Sequence, residues 1–307
     1  MKIGLLFAGQ GSQYISMGRD FYEEYESSRE VFDAFPEVRD LCFNGPVEKL
    51  NDTEYAQSAI LLTSTAIASV LKNRIEVDYV AGLSLGEYSA LTYADVFSLK
   101  DAMEITKARG RIMANALPEG TSSMAAVLGG DDELIKDVCN RVSDLGVCEI
   151  ANYNCPGQTV ISGEVEAIEK AIATLKEEGI RRIMPLNVSG AFHCSLLEKA
   201  SLELGEILEK YDFKAPSIPV VYNISGTELD NDIKDILVRQ IKNSVYFKQS
   251  IEYMISKGVD LFIEIGPGKT LSTFVRKVNR EVQVYTIDSI EKMKELSEVL
   301  KWQEKLR

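Results

Sequence analysis

The apolar residues of this chain follow two different spacings, one typical of buried strands and the other of amphipathic helices. Short apolar runs predict strands at 3–8 and 75–81. Apolar residues three and four positions apart predict helices at 18–33, 56–73, 86–95 and 100–116. Strands that alternate with helices in this way predict a parallel sheet covered by helices on both faces.

The middle of the chain has a different order of elements. Strands are predicted at 124–128, 147–153, 158–162 and 181–186, with helices at 131–145 and 164–178. This β-α-β-β-α-β order is typical of a ferredoxin-like unit. We therefore expect a ferredoxin-like subdomain at 123–189, inserted into a large α/β domain made of 1–122 and 190–307. The cleft between the two is the expected ligand site.

The rest of the large domain is predicted from the same two spacings. Helices are expected at 195–210 and 232–257, and strands at 220–223, 261–265 and 282–287. A tail to which no element is assigned follows the last strand.

Composition and charge narrow the class of protein. The chain has 307 residues, of which 45% are hydrophobic, and its formal net charge is −13. The hydrophobic fraction indicates a globular protein, and the negative charge argues against nucleic acid as a partner. The apolar runs are shorter than the roughly 20 residues of a membrane-spanning helix. We therefore expect a soluble cytoplasmic protein without a membrane partner.

The five cysteines are scattered along the chain and form no Cys-x-x-Cys pair. This pattern fits a reducing compartment and argues against a disulfide framework and a zinc site, so no metal is expected. Cys194 follows the histidine of the chain directly, and we interpret it as a packing residue.

One pentapeptide and one histidine carry the candidate chemistry. Gly82-Leu-Ser-Leu-Gly86 lies between a predicted strand and a predicted helix, which is the context of the nucleophile turn in α/β-hydrolase-like folds. Serine is a weak nucleophile until a base takes its proton, and His193 is the single histidine of the chain. In such a turn the amide of Leu85 would point at a developing oxyanion. The alternative for Ser84 is a capping serine in an ordinary glycine-rich turn.

Arg109 lies in the middle of an apolar stripe on the predicted helix at 100–116. The stripe consists of Ala102, Ile105, Ile112, Met113 and Ala116. An arginine cannot lose its charge, so on a buried face it needs an anionic partner. That partner is either an Asp or Glu of the chain or the carboxylate of a substrate.

Short motifs are spread over nearly the whole chain. They are Gly9-Gln-Gly-Ser-Gln13, Gly82-Leu-Ser-Leu-Gly-Glu-Tyr-Ser-Ala90, Arg109-Gly-Arg111, Pro118-Glu-Gly-Thr121, Ala191-Phe-His-Cys194 and Gly266-Pro-Gly-Lys-Thr-Leu271. In this order they resemble the malonyl-CoA:acyl-carrier-protein transacylases, an acyltransferase family of fatty acid and polyketide synthesis. The expected fold is an α/β-hydrolase-like large domain with an inserted ferredoxin-like small subdomain.

The resemblance implies a role for each matching residue of the reaction centre. Ser84 matches the acylated nucleophile, and His193 matches its base. In this family a backbone carbonyl orients the base, and we place that carbonyl near Gln240. Gln10 and Leu85 match the backbone amides of the oxyanion hole.

Two further residues match the substrate-binding positions of the family. Arg109 matches the residue that pairs with the malonyl carboxylate, and Phe192 matches a residue type associated with malonyl over branched acyl groups. The chain departs from the family pattern at Leu83, where histidine is common, and at Ala8, where proline is common. Neither departure touches the expected chemistry.

The resemblance implies a reaction that needs no permanently bound cofactor. The malonyl group passes from malonyl-CoA to Ser84, and then to the phosphopantetheine thiol of acyl carrier protein. Because the carrier is acidic and this chain is too, docking requires a basic patch. The candidates are Arg181, Arg182, Arg276, Lys277 and Arg280.

Other functions are compatible with parts of the sequence. A discrete, trans-acting acyltransferase of a polyketide synthase would use the same chemistry. An acyl hydrolase of the α/β-hydrolase class would place its histidine towards the end of the chain, whereas His193 lies well before it. An inactive carrier-binding scaffold would need none of Ser84, His193 and Arg109.

Overall fold

The computed structural model describes residues 1–72, 74–188 and 190–300, and its larger sheet is parallel. The strands of this sheet are β1 (Ile3–Phe7), β2 (Tyr79–Gly82), β7 (Val220–Val221), β8 (Leu261–Ile265) and β9 (Gln283–Ile287). They lie in the order β7-β2-β1-β8-β9, and every pairing between them is parallel. The predicted α/β fold with a parallel sheet is confirmed, although β2 begins at Tyr79 and not at 75.

Two neighbouring inner strands of this sheet, β1 and β8, are buried over their whole length. Every residue of β1 and β8 is buried, as expected for apolar runs that helices cover on both faces. Glu264 is the charged exception on β8, and its carboxylate accepts hydrogen bonds from the backbone N–H groups of Leu271 and Ser272. The carboxyl ends of these strands therefore lie on a firmly packed core.

The segments that follow β1 and β2 are helical. They form α1 (Arg19–Glu24), α2 (Glu26–Asp33), α3 (Pro36–Asn44), α4 (Val47–Asn51), α5 (Thr53–Leu71), α6 (Gly86–Tyr93) and α7 (Leu99–Ala114). The prediction of one helix at 18–33 was wrong, because the backbone is extended at Tyr25 and separates α1 from α2. Apolar residues on both sides of the break keep a helical spacing, so the pattern does not reveal it.

The second sheet is antiparallel and has its own buried core. Its strands are β3 (Ser122–Leu128), β4 (Cys148–Cys155), β5 (Gln158–Glu164) and β6 (Arg182–Pro185), in the order β4-β5-β3-β6. Two helices, α8 (Asp132–Arg141) and α9 (Val165–Glu177), pack against it through apolar residues that form a separate cluster.

The last part of the described chain contains further helices. They are α10 (Glu198–Leu208), α11 (Ile233–Gln240), α12 (Phe247–Ser256), α13 (Thr270–Val278) and α14 (Ile290–Leu300). The expected unassigned tail is therefore helical over 290–300, whereas 301–307 lie outside the described residues. None of the helices in the described part of the chain is long and apolar enough to cross a membrane.

The prediction of one helix at 232–257 was also wrong, and the break matters for the site. After Gln240 the chain leaves the helix and pairs with β4. The Val245 N–H donates to the Ala151 carbonyl at 2.8 Å, and the Tyr153 N–H donates to the Val245 carbonyl at 2.9 Å. The stacked rings of Tyr153 and Tyr246, with centroids 5.1 Å apart, strengthen this junction. This long-range pairing overrides the local helical pattern and ties the second sheet to the end of α11.

Candidate active site

Ser84 lies at the tight turn between β2 and α6, in a strained backbone conformation. Its φ angle is +53°, which is unusual for a residue other than glycine. The flanking glycines allow this turn through close backbone approach. A Cβ atom on Gly82 would lie 1.9 Å from the carbonyl carbon of Gly86, and one on Gly86 would lie 2.1 Å from the Phe7 oxygen. The turn therefore packs directly against the end of β1.

His193 lies beside Ser84 and is held by the helix end that the break creates. Ser84 Oγ and His193 Nε2 are 2.7 Å apart, and His193 Nδ1 is 2.8 Å from the Gln240 carbonyl oxygen. Because a carbonyl can only accept, Nδ1 carries the ring proton, and Nε2 is left to accept from Ser84. Gln240 is the last residue of α11, where carbonyl groups have no partner within the helix.

The surroundings of His193 keep its ring neutral. Burial lowers the pKa of His193 to about 4, and the positive charge of Arg109 acts in the same direction. The hydrogen bond to the Gln240 carbonyl opposes this effect only in part. At neutral pH the imidazole is therefore a base ready to take a proton.

Arg109 is almost fully buried, and neutral side chains hold it. Nη1 donates to Gln57 Oε1 at 2.7 Å, whereas Nη2 donates to Gln240 Oε1 at 3.0 Å and to Ser84 Oγ at 3.2 Å. Within the described residues, Nε has no partner and no carboxylate forms a salt bridge with this guanidinium. The alternative of an internal salt bridge was therefore wrong, and the charge faces the nucleophile without a counter-ion in contact.

The backbone N–H groups of Gln10 and Leu85 form no hydrogen bond to another described residue. Leu85 directly precedes helix α6, whose N-terminus favours negative charge. The loop of Gln10 lies against the same turn, since a Cβ atom on Gly9 would be 2.5 Å from the Leu83 oxygen. The Gln10 side chain is held at 3.0 Å from Thr53 Oγ1. These two amides can stabilise an oxyanion beside Ser84.

A cavity of about 400 Å³ opens above Ser84 and His193. Residues of both sheet regions line it, among them Phe192, which is 7% exposed, and Met124 of β3. Its polar lining is dominated by amide side chains, which are Gln10, Gln13, Asn51, Asn152, Asn154 and Asn187. The Oδ1 atom of Asn154 is buried and has no partner in the described structure. The cavity therefore suits a ligand rich in neutral hydrogen-bonding groups.

Two buried residues of the site, Asn223 and Gln57, were missed at the level of sequence. Asn223 accepts a hydrogen bond from the Ser84 N–H at 2.7 Å, and its own backbone N–H donates to Glu87 Oε2 at 2.6 Å. Gln57 lies in the apolar run of α5 and binds Arg109. A polar residue in an apolar helix was a usable signal for Gln57, whereas nothing local distinguishes Asn223.

The described residues 1–72, 74–188 and 190–300 contain no group of three or more His, Cys, Asp or Glu side chains that could hold a metal ion. All five cysteines are buried and free.

Comparison with known proteins places this arrangement among acyltransferases. A family model described as acyl transferase domain matches residues 5–303. The malonyl CoA-acyl carrier protein transacylase of Bacillus subtilis is 42% identical over 309 residues, covering 98% of both chains. The crystal structure of that enzyme from Clostridium perfringens is 41% identical with a TM-score of 0.95, again over 98% of both chains. A malonyl-transacylase in complex with its type II PKS acyl-carrier protein is 34% identical with a TM-score of 0.93, over 97% of this chain and 100% of that one.

Proposed function

This chain belongs to the acyl transferase family, and we propose that it transfers the malonyl group of malonyl-CoA to the phosphopantetheine thiol of acyl carrier protein. The observation that carries the proposal is the position of Ser84 Oγ, 2.7 Å from His193 Nε2 and 3.2 Å from Arg109 Nη2. A nucleophile, a base and a fixed cation meet at one point, as the transfer of an anionic acyl group requires.

The first half of the proposed reaction moves the malonyl group onto Ser84. His193 Nε2 takes the Ser84 proton while Oγ attacks the thioester carbonyl carbon. The backbone N–H groups of Gln10 and Leu85 stabilise the resulting oxyanion, each by about 3 kcal/mol. The C–S bond then breaks, and the coenzyme A thiolate takes the proton back from His193. The products of this half are malonyl-Ser84 and coenzyme A.

The second half moves the malonyl group from Ser84 to the carrier. The phosphopantetheine thiol gives its proton to His193 Nε2, and its sulfur attacks the ester carbonyl carbon. The same backbone N–H groups hold the oxyanion. The bond from carbon to Ser84 Oγ breaks, and Oγ recovers the proton from His193. The enzyme returns to its starting state without an external reductant, oxidant or metal.

Arg109 is the residue that we propose to bind the malonyl carboxylate. Its Nε–H has no partner within the described structure, and Nη2 already contacts the atom that carries the acyl group. An acyl group without a carboxylate would leave this buried charge unpaired, which costs binding free energy. Phe192 lines the cavity above Ser84 and is proposed to exclude branched acyl groups.

The amide side chains of the cavity are proposed to bind the phosphopantetheine arm, which is common to coenzyme A and the carrier. This arm carries amide groups, and Asn154 Oδ1 offers a buried acceptor without a partner. A related malonyl-transacylase has been solved in complex with its acyl-carrier protein, which supports the carrier as the partner.

We also propose the domain organisation that the sequence indicates. The β4-β5-β3-β6 order supports a ferredoxin-like subdomain at 123–189, and the Ser84 turn supports an α/β-hydrolase-like domain at 1–122 and 190–307. Ser189, at the junction, and 301–307, at the end, lie outside the described residues. Five free cysteines support the cytoplasm as the compartment.

Fatty acid biosynthesis is the proposed pathway. A discrete acyltransferase of polyketide synthesis is the second candidate, because one structural relative is bound to a type II PKS carrier. Both pathways use the same transfer, so the residues named above would act identically in either. The relatives named here are transacylases, which favours transfer over hydrolysis and over an inactive scaffold.

The proposal is tested by mixing the protein with malonyl-CoA and phosphopantetheinylated carrier and recording the intact mass of the carrier. We expect a malonyl adduct on the carrier that disappears with Ser84→Ala. Ser89→Ala is the matched control, because Ser89 lies on α6, five residues after Ser84, and does not line the cavity. Free malonate without a carrier adduct would indicate a hydrolase, and intact malonyl-CoA would indicate a scaffold.

A further inference from the structure

Glu87 is a fully buried carboxyl group that the proposed reaction does not use. It lies in the first turn of α6, and its side chain is 0% exposed. Oε2 accepts a hydrogen bond of 2.6 Å from the Asn223 N–H, whereas Oε1 has no partner in the described structure. Within those residues no salt bridge involves Glu87. A bare ionised oxygen in this position is costly, so the geometry favours the neutral acid.

The partner of Glu87 is the residue that holds the nucleophile turn. Asn223 Oδ1 accepts from the Ser84 N–H at 2.7 Å, and Asn223 Nδ2 donates to the Gly82 carbonyl at 2.7 Å. Asn223 thus fixes both sides of a turn whose central residue has a φ angle of +53°. Glu87 anchors the backbone of Asn223, and this contact and the one to Gly82 are buried.

Glu87 also lies within electrostatic range of the cation proposed to bind substrate. The titratable groups near its carboxyl are Arg109 on α7, Tyr88 on α6 and Tyr222 after β7. Burial raises the pKa of Glu87 to about 8, while the hydrogen bond from Asn223, the charge of Arg109 and the nearby Gln240 side chain act in the opposite direction. Ionisation above this pH would place a negative charge beside Arg109.

We propose that Glu87 is a positioning residue for the nucleophile, acting through Asn223, and that its neutral acid form leaves the charge of Arg109 free for the substrate carboxylate. The inference rests on the proposed function, since it assigns Arg109 to the malonyl carboxylate. As a neutral acid, Glu87 accepts the hydrogen bond from the Asn223 N–H. When ionised, its carboxylate competes with the substrate carboxylate for the charge of Arg109.

The positioning role is tested by the rate of Ser84 acylation in single turnovers with malonyl-CoA. Glu87→Ala removes the acceptor of the Asn223 N–H, and we expect a rate loss of about tenfold or more. Glu87→Gln keeps a neutral acceptor and should recover most of that loss. The positioning role is overturned if Glu87→Gln is as slow as Glu87→Ala, or if Glu87→Ala is as fast as the parent protein.

The charge role is tested by the pH dependence of KM for malonyl-CoA in the parent protein and in Glu87→Gln. In the parent protein we expect KM to rise about tenfold above pH 8, as the carboxylate forms beside Arg109. In Glu87→Gln the KM should stay level. Glu264→Gln is the matched control, because Glu264 is another buried glutamate, away from the cavity, and its loss should leave the KM profile unchanged.

The possible failures of this test are distinct. If the parent protein forms no acyl-enzyme at any pH, the proposed function fails. If it forms the acyl-enzyme and the KM profiles of the parent and Glu87→Gln coincide, the proposed function stands and the charge role of Glu87 is overturned.

Discussion

Arg109 carries a full positive charge at a position that is 1% exposed, with amide and hydroxyl oxygens as its contacts. A charged hydrogen bond to a buried ligand contributes about 1.5–3 kcal/mol, so its loss is readily measured. We expect Arg109→Ala to lower kcat/KM for malonyl-CoA by about 100-fold. At about 1.4 kcal/mol for each tenfold change, this corresponds to about 2.8 kcal/mol. The same variant should discriminate much less between malonyl-CoA and acetyl-CoA.

The matched control for Arg109→Ala is Arg111→Ala. Arg111 lies on the same helix, is exposed, and does not line the cavity above Ser84. Both steady-state constants for malonyl-CoA should be unchanged in this control. An equal loss of kcat/KM for malonyl-CoA and acetyl-CoA in Arg109→Ala would show that Arg109 supports the fold of the site and does not bind the malonyl carboxylate.

The pKa of His193 predicts an unusual pH profile for acylation. Burial, aided by Arg109, lowers this pKa from 6.5 to about 4, so the base stays neutral until the solution is strongly acidic. The acylation rate should therefore remain level from about pH 8 to pH 5 and fall as the pH drops through about 4. Single-turnover quench-flow measures this rate, and circular dichroism at each pH verifies the fold. A midpoint near 6.5 would contradict a buried, neutral base.

The residues of the site differ in how far the sequence reveals them. The apolar stripe on its helix predicts the burial of Arg109, and the pentapeptide marks Ser84. Asn223 and Gln57 reach the site only through the fold, because their partners lie far away in sequence. The spacing of residues along the chain does not predict such long-range contacts, which form only when the strands and helices pack together.

At the scale of elements, the turn between β2 and α6 depends on the glycines on either side of the nucleophile. A Cβ atom on Gly82 would overlap backbone atoms of Gly86, which cannot move without shifting α6. We expect Gly82→Ala to lower the free energy of unfolding by about 3 kcal/mol or more, as overpacking of rigid backbone does. Thermal unfolding of the purified protein measures this loss.

Gly205→Ala is the control for that substitution. Gly205 lies on α10, where the nearest atom to an added Cβ is a methyl group of Val238 at 3.2 Å. Because alanine favours a helix by about 1 kcal/mol over glycine, this variant should be as stable as the parent or more so. A similar loss in both variants would show that the close contact at Gly82 is not the cause.

The nucleophile turn was predictable because strand, turn and helix follow one another in sequence. The break after Gln240 was not, since it arises when Val245 pairs with a strand from the second sheet. That pairing ends α11 at the residue whose carbonyl accepts from His193. The helical spacing of apolar residues continues through the break, so local pattern and tertiary pairing disagree there.

At the scale of the whole molecule, charge governs the encounter with the carrier. The net charge is −13, so an acidic carrier needs a local basic surface. Arg276 and Lys277 are exposed on α13, and Lys277 Nζ lies 3.4 Å from Gln158 Oε1 at the start of β5. We expect the double variant Arg276→Glu and Lys277→Glu to raise KM for the carrier about tenfold without changing KM for malonyl-CoA.

A second double variant controls for the change in net charge. Lys170→Glu and Lys176→Glu make the same charge change on the exposed face of α9. This control should leave both KM values as they are in the parent protein. If both double variants raise KM for the carrier equally, the cause is the overall charge of the protein. That result would exclude the α13 surface as the docking site.

The order of the strands could be predicted, including the β-α-β-β-α-β segment in the middle of the chain, whereas several helices were merged or missed. The way in which the two sheets meet could not, because it depends on one edge of β4 and on side chains such as Tyr153 and Tyr246. That junction follows Gln240 closely in the chain, so the second sheet both lines the cavity and lies near the Gln240 carbonyl that accepts from His193.

The central claim is that Ser84 carries the malonyl group between donor and acceptor. The most direct test is the intact mass of this protein after mixing with malonyl-CoA in the absence of carrier. We predict one malonyl adduct, mapped to Ser84 by peptide mass spectrometry and removed when carrier is added. Release of coenzyme A with no adduct, or an adduct that survives in Ser84→Ala, would contradict the account.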